Sequence, residues 1–136
     1  MPFQGRPDGL YFLKQASSHK GVDHYGILDI GNRIRHPEVD GIHPVVIHMT
    51  PPNLRIDWFQ GTGSWTVLGV IADEAGAIQR MNAASLNPDY HWFGNNCEHF
   101  ARFVATGTRE SKQLQAGAAV AGLALLTFLA IRDEQR

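Results

Sequence analysis

The chain has 136 residues, with 12 Lys and Arg against 13 Asp and Glu and a single cysteine. That length supports one hydrophobic core without disulfide or structural metal, and one cysteine excludes an intrachain disulfide. With no net basic field, nucleic acid is not expected as a partner, because phosphate binding wants a strongly basic face.

The opening residues 1–7 have no apolar signal-peptide core, and a reducing compartment is the expectation. Residues 10–15 and 24–30 are short β-prone segments, the second closed by the turn pair Gly31-Asn32. A polar stretch with two prolines follows over 33–44. Val45-Val46-Ile47 then makes 43–49 a central-strand candidate, stopped by Pro51-Pro52. Two further strands are expected over 54–59 and 64–71, joined around Gly61-Thr62-Gly63.

The period then changes. Ile71, Ala75, Ile78 and Met81 recur at helical spacing, which predicts a helix broken by Asn87-Pro88-Asp89. A second helix begins at Cys97, whose apolar positions are followed by Phe100, Ala101, Val104 and Ala105. Asn95 or Asn96 suits its N-cap, Glu98 its first turn and Gly107 its end. The expected fold class is α+β, a small antiparallel sheet of about five strands packed against two helices. An apolar C-terminal helix is added by 116–131, which is 16 residues without charge between Lys112 and Arg132. As a helix it would reach ~24 Å, short of the ~30 Å hydrocarbon core, a deficit that local thinning and snorkelling of Lys112 and Arg132 could make up. It is read as a membrane anchor, with a buried core helix as the competing reading. The domain division is 1–113 for the catalytic unit and 114–136 for the tail.

Cys97 is read as a nucleophile. A lone thiol at the first turn of a helix faces unpaired N–H groups, which favour the thiolate. Its base should be a histidine. Of the seven, His99 is about 200° around the helix from Cys97, and His19 and His91 fall in polar or loop stretches. His24 and His48 occur on strand candidates, where a sheet holds a ring rigidly. No Cys-x-x-Cys, His-Glu-x-x-His or His-x-His pattern supports a metal site, and no cofactor is expected. No Gly-x-Ser-x-Gly supports a serine triad.

These residues resemble a known family. Asn96-Cys97-Glu98-His99-Phe100 resembles the signature pentapeptide of lecithin retinol acyltransferase-like proteins, which include the phospholipase A/acyltransferases. His24-Tyr25-Gly26-Ile27-Leu28 resembles their first histidine strand, although Tyr25 stands where Trp is usual. Val46-Ile47-His48-Met49-Thr50-Pro51-Pro52 resembles the second. The order His, His, Cys also agrees with the family, a circular permutation of the papain-like order. Thr106-Gly107, Ser111 and Gln113 continue the likeness, which covers roughly residues 24–113. Two departures stand out. The family's histidines are about twelve residues apart, whereas His24 and His48 are separated by 24. His36 has the family spacing but a charged, proline-flanked setting, and is the runner-up to His48. The family's opening strand is only faintly echoed by Pro7-Asp8-Gly9-Leu10-Tyr11.

The resemblance implies a thiol phospholipase/acyltransferase. Cys97 attacks a phospholipid ester, His24 is the base, and His48 orients His24. The backbone N–H of Cys97 donates to the oxyanion, and the acyl group passes from the thioester to water, an amine or an alcohol. It further implies phospholipid and a membrane surface as partners, on the cytoplasmic side, with several relatives anchored by an apolar tail. A cysteine amidase or peptidase using the same pair, and a non-catalytic membrane-associated module, are the alternatives.

Overall fold

Short runs of β-branched and aromatic residues, each punctuated by Gly, Pro or Asn, pair into one antiparallel sheet. A computed structural model describes residues 6–16, 23–87, 89 and 96–108. Its strands are β1 (Gly9–Ala16), β2 (Asp23–Ile30), β3 (Val45–Thr50), β4 (Asn53–Trp58) and β5 (Thr66–Val70), followed by α1 (Glu74–Ser85) and α2 (Cys97–Thr106). The strand order is β4-β3-β2-β1-β5, antiparallel throughout. The architecture is therefore the expected α+β arrangement. The segment 116–131, and with it the expected apolar helix and anchor, lies outside the described residues. Among the described residues no helix is long and apolar enough to cross a membrane.

Alternation along the central strands divides the interior in two. Leu10, Tyr25, Ile27, Val45, Ile47 and Met49 face the helices and pack with Ala77, Met81, Phe100, Ala101 and Val104. Tyr11, Leu13, Leu28 and Val46 face the other way, with Phe59 and the half-buried Trp65 over them. Phe100 is fully buried, and burial of such a side chain stabilises by roughly 1.5–3 kcal/mol. It seats α2 on β2 and β3.

One expectation needs correction. The helix after the sheet begins at Glu74, with Asp73 as its N-cap. Ile71 is buried but precedes it, bonded through its N–H to the Leu10 carbonyl as a continuation of the sheet edge. The buried face is Ala77, Met81 and Ala84, with Ile78 half-buried and Ala75 exposed. Apolar spacing alone could not separate a strand-end residue from the helix after it. The last two strands, joined around Gly61-Thr62-Gly63, do not pair with one another. They lie at opposite edges of the sheet, so residues 59–65 cross from one edge to the other and bring Trp65 over the face away from the helices.

Candidate active site

The N-terminus of α2 is built by its first residues. Asn96 is the N-cap, its side-chain oxygen accepting the His99 N–H at 2.9 Å. His99 Nδ1 accepts the Asn96 N–H in return at 3.4 Å, closing a capping box in which imidazole takes the place of the usual carboxylate. Gly107 ends the helix in the left-handed region at φ 81°, where a Cβ would be strained. Glu98 is completely buried and receives Arg102 Nε at 2.9 Å. The Arg102 guanidinium also lies over the rings of Phe12 and Tyr25. This ion pair clamps the first turn, and Cys97 with it, onto β1 and β2.

The thiol meets the sheet where two strands part. β2 pairs with β1 all the way to Ala16↔Asp23, but its pairing with β3 runs only over Ile27↔Ile47, Leu28↔Val46 and Asp29↔Val45. β3 meanwhile continues along β4 to Thr50↔Asn53. The β3-facing edge of β2 at residues 23–25 is thus left open. Cys97 Sγ occupies it, donating to the Asp23 carbonyl at 3.8 Å.

On the face away from α2, the same opening is bridged by two imidazoles. His24 Nε2 lies 2.7 Å from His48 Nδ1. His48 Nε2 lies 2.7 Å from Asp57 Oδ2, and Arg55 Nη2 donates to Asp57 Oδ1 at 3.1 Å. Gly26 makes room for this pair. A Cβ there would stand 3.0 Å from Val46 Cγ1 and 3.4 Å from both His48 Cβ and Trp65 Cη2. Trp65 covers the rings, its centroid 5.4 Å from that of His24 and 6.3 Å from that of His48. The indole is fixed by Nε1–H donating to Thr62 Oγ1 at 2.8 Å. Thr62 in turn donates its hydroxyl to Phe59 O and accepts Gln15 Nε2–H at its own carbonyl.

Burial is the dominant electrostatic effect. It lowers His24 to about 4, with the adjacent His48 adding to the shift, so the imidazole is a neutral base at pH 7. It also pushes the Cys97 thiol above its ordinary value. The main-chain N–H groups of Tyr25, Glu98 and Cys97 oppose that rise without cancelling it, and the Glu98 carboxylate adds to it. The expectation that the helix N-terminus would favour thiolate is therefore corrected. Desolvation and the buried Glu98 outweigh the dipole, and the resting pair is thiol and neutral imidazole. Burial also works against the Asp57 carboxylate, but hydrogen bonds and charge from His48 and Arg55 hold it below the usual carboxyl range.

Of the residues expected at the site, His24 and His48 are brought into direct contact. Cys97 is brought to the main chain beside His24, and no hydrogen bond joins Sγ to the imidazole. His36 sits apart, in an exposed turn where Nδ1 accepts the Glu38 N–H at 3.2 Å. His19 and His91 lie outside the described residues. Asp57 and Trp65 were not singled out from the sequence. The alternation Arg55-Ile56-Asp57, two polar residues flanking an apolar one beside a histidine strand, was the available signal for Asp57. Nothing local marked Trp65. Among the described residues no group of three or more His, Cys, Asp or Glu could hold a metal ion. No family model, curated protein or solved structure matches this chain.

Proposed function

We propose that the protein is a cysteine acyl-transfer enzyme of the lecithin retinol acyltransferase-like type, with a permuted papain-like arrangement, acting on glycerophospholipid esters. The observation that carries this reading is the 2.7 Å contact between His24 and His48, at the strand opening that also receives the Cys97 thiol of a capped helix N-terminus. His24, His48 and Cys97, read as base, orienting partner and nucleophile, come from three elements in the chain order the resemblance implies.

In this reading a rotation about the Cys97 Cα–Cβ bond takes the sulfur off the Asp23 carbonyl and toward His24. Catalytic hydrogen bonds commonly tighten only when substrate is bound. The thiol proton passes to His24 Nδ1, the ring nitrogen not engaged with His48, as sulfur attacks the ester carbonyl. The Cys97 N–H, at the first helical position, stabilises the oxyanion. The carbon–oxygen bond breaks, the departing alkoxide takes the proton from His24, and an acyl thioester remains. Water, an alcohol or an amine then gives its proton to His24 and attacks the thioester, and the released thiolate is reprotonated. The segment 116–131 would hold the site at the cytoplasmic surface of a membrane, where the substrate is concentrated.

The test is intact-protein mass after brief incubation with phosphatidylcholine vesicles, comparing wild type with Cys97→Ala and Cys97→Ser. The expected result is a hydroxylamine-labile gain of one fatty acyl mass in wild type and none in Cys97→Ala. Turnover retained by Cys97→Ser would remove Cys97 from the mechanism. No wild-type adduct, with Cys97 accessible to alkylation at pH 9, would turn attention to amide substrates.

A further inference from the structure

We propose that Asp57 is a positioning residue of this site, fixing the tautomer of His48 and through it that of His24, so that His24 Nδ1 is left bare to take the Cys97 proton. The inference rests on the reading of Cys97 and His24 as nucleophile and base.

Two hydrogen-bonded neutral imidazoles are degenerate by themselves. Each ring carries one N–H, and the pair is equally satisfied with the shared proton on either nitrogen. In one arrangement His24 holds its proton on Nε2 and Nδ1 is a base. In the other, His48 donates from Nδ1, His24 Nε2 accepts, and the His24 proton sits on Nδ1, where it blocks the reaction. A carboxylate breaks this symmetry because it only accepts. Asp57 Oδ2, 2.7 Å from His48 Nε2, requires the proton there. With His48 neutral, its Nδ1 is then a lone pair, and His24 Nε2, 2.7 Å away, is the donor. The second ring nitrogen, Nδ1 of His24, is left unengaged by His48, and the thiol lies at the Asp23 carbonyl, one residue away along the main chain.

The sheet holds Asp57 in place for this. Along β4, Arg55 and Asp57 share the His48 face, with Arg55 directly opposite His48 and Asp57 opposite Val46, two positions along β3. Arg55 engages Oδ1 at 3.1 Å, which leaves Oδ2 to the imidazole. The same chain leads from His24 to a carboxylate, so the positive charge His24 acquires during the reaction is stabilised through His48, as the outer member of a triad does.

The test compares the full chain as wild type, Asp57→Asn and Asp57→Glu, using nitrogen-15 spectra of the imidazoles at neutral pH together with release of fatty acid from phosphatidylcholine vesicles. Wild type is expected to show Nε2–H on both rings. Asp57→Asn is close in size but offers an NH2 group that can donate to a bare His48 Nε2, and should move a share of both rings to Nδ1–H. Its kcat should fall ~10–100-fold with KM little changed, and Asp57→Glu should recover part of the loss. Unchanged tautomers in Asp57→Asn overturn the proposal, as do shifted tautomers with wild-type kcat. A wild type showing the expected tautomers and their shift, yet forming no acyl-thioester, supports the role of Asp57 over the rings and overturns the acyl-transfer reading instead.

Discussion

His24 and His48 are in hydrogen-bond contact at 2.7 Å although neither is the other's cross-strand partner. Their strands have already stopped pairing at Ile27↔Ile47, and the rings span the opening over Gly26, which has no side chain to fill it. The opening is what admits the Cys97 thiol from the helix side while the imidazoles close it from the other. One irregularity in an antiparallel sheet therefore accounts for the whole constellation.

The two histidines with a claim to the outer position are separable by substitution. His48→Gln removes a ring held between His24 and Asp57, and should lower kcat ~10–100-fold. His36→Gln touches an exposed turn and should leave the rate near wild type, with stability changed by about 0.5 kcal/mol or less. Equal rates for the two variants would mean that His48 has no part in the reaction.

The pH behaviour follows from burial. His24 acts as a base only when unprotonated, so the acidic limb of kcat/KM should fall near its lowered value of about 4 and not near the ordinary 6.5. The same shift makes stability pH-dependent. Between about 6.5 and about 4 the unfolded chain binds a proton that the folded chain refuses, so stability is full above this window and is lost as pH falls through it. Urea midpoints at pH 7 and pH 5 should differ in that direction, and His24→Gln should flatten the difference. Because the thiol is raised, iodoacetamide alkylation of Cys97 should be slow at pH 7 and still rising at pH 9. A plateau centred near or below pH 7 would show a thiolate–imidazolium pair at rest.

Trp65 lies over the two rings. Trp65→Ala should hydrate them and move the acidic limb of the rate profile upward, toward 6.5. Trp65→Phe, which retains an aromatic cover, should move it much less. Gly26→Ala would press on Val46 and crowd both His48 and Trp65, and should cost roughly 1–3 kcal/mol in stability. A pH profile identical in wild type and Trp65→Ala would assign the depression of His24 to the sheet alone.

Removal of the tail tests the proposed anchor apart from the proposed chemistry. Truncation after Gln113 should release the protein from membranes in a flotation assay and leave hydrolysis of short-chain soluble esters intact. A truncated chain that unfolds would instead make 116–131 part of the core.

The chain itself determined the local elements and where the candidate residues fall on them. β-Branched runs, Gly-Asn and Pro-Pro turns and the Asn96-to-Gly107 frame specify five strands and a capped helix, because turn and cap preferences act over a few residues. They also place the lone cysteine at that helix start and two histidines on strands. Tertiary structure decided the rest. That β4 and β5 lie at opposite edges is a matter of which distant strands pair, and from it follow the position of Trp65 over the rings and of Asp57 beyond His48. The protonation of the resting site was also a tertiary outcome. Helix position argued for a thiolate, but desolvation depends on everything packed around Cys97 and on the charge of the buried Glu98, and it is the larger effect.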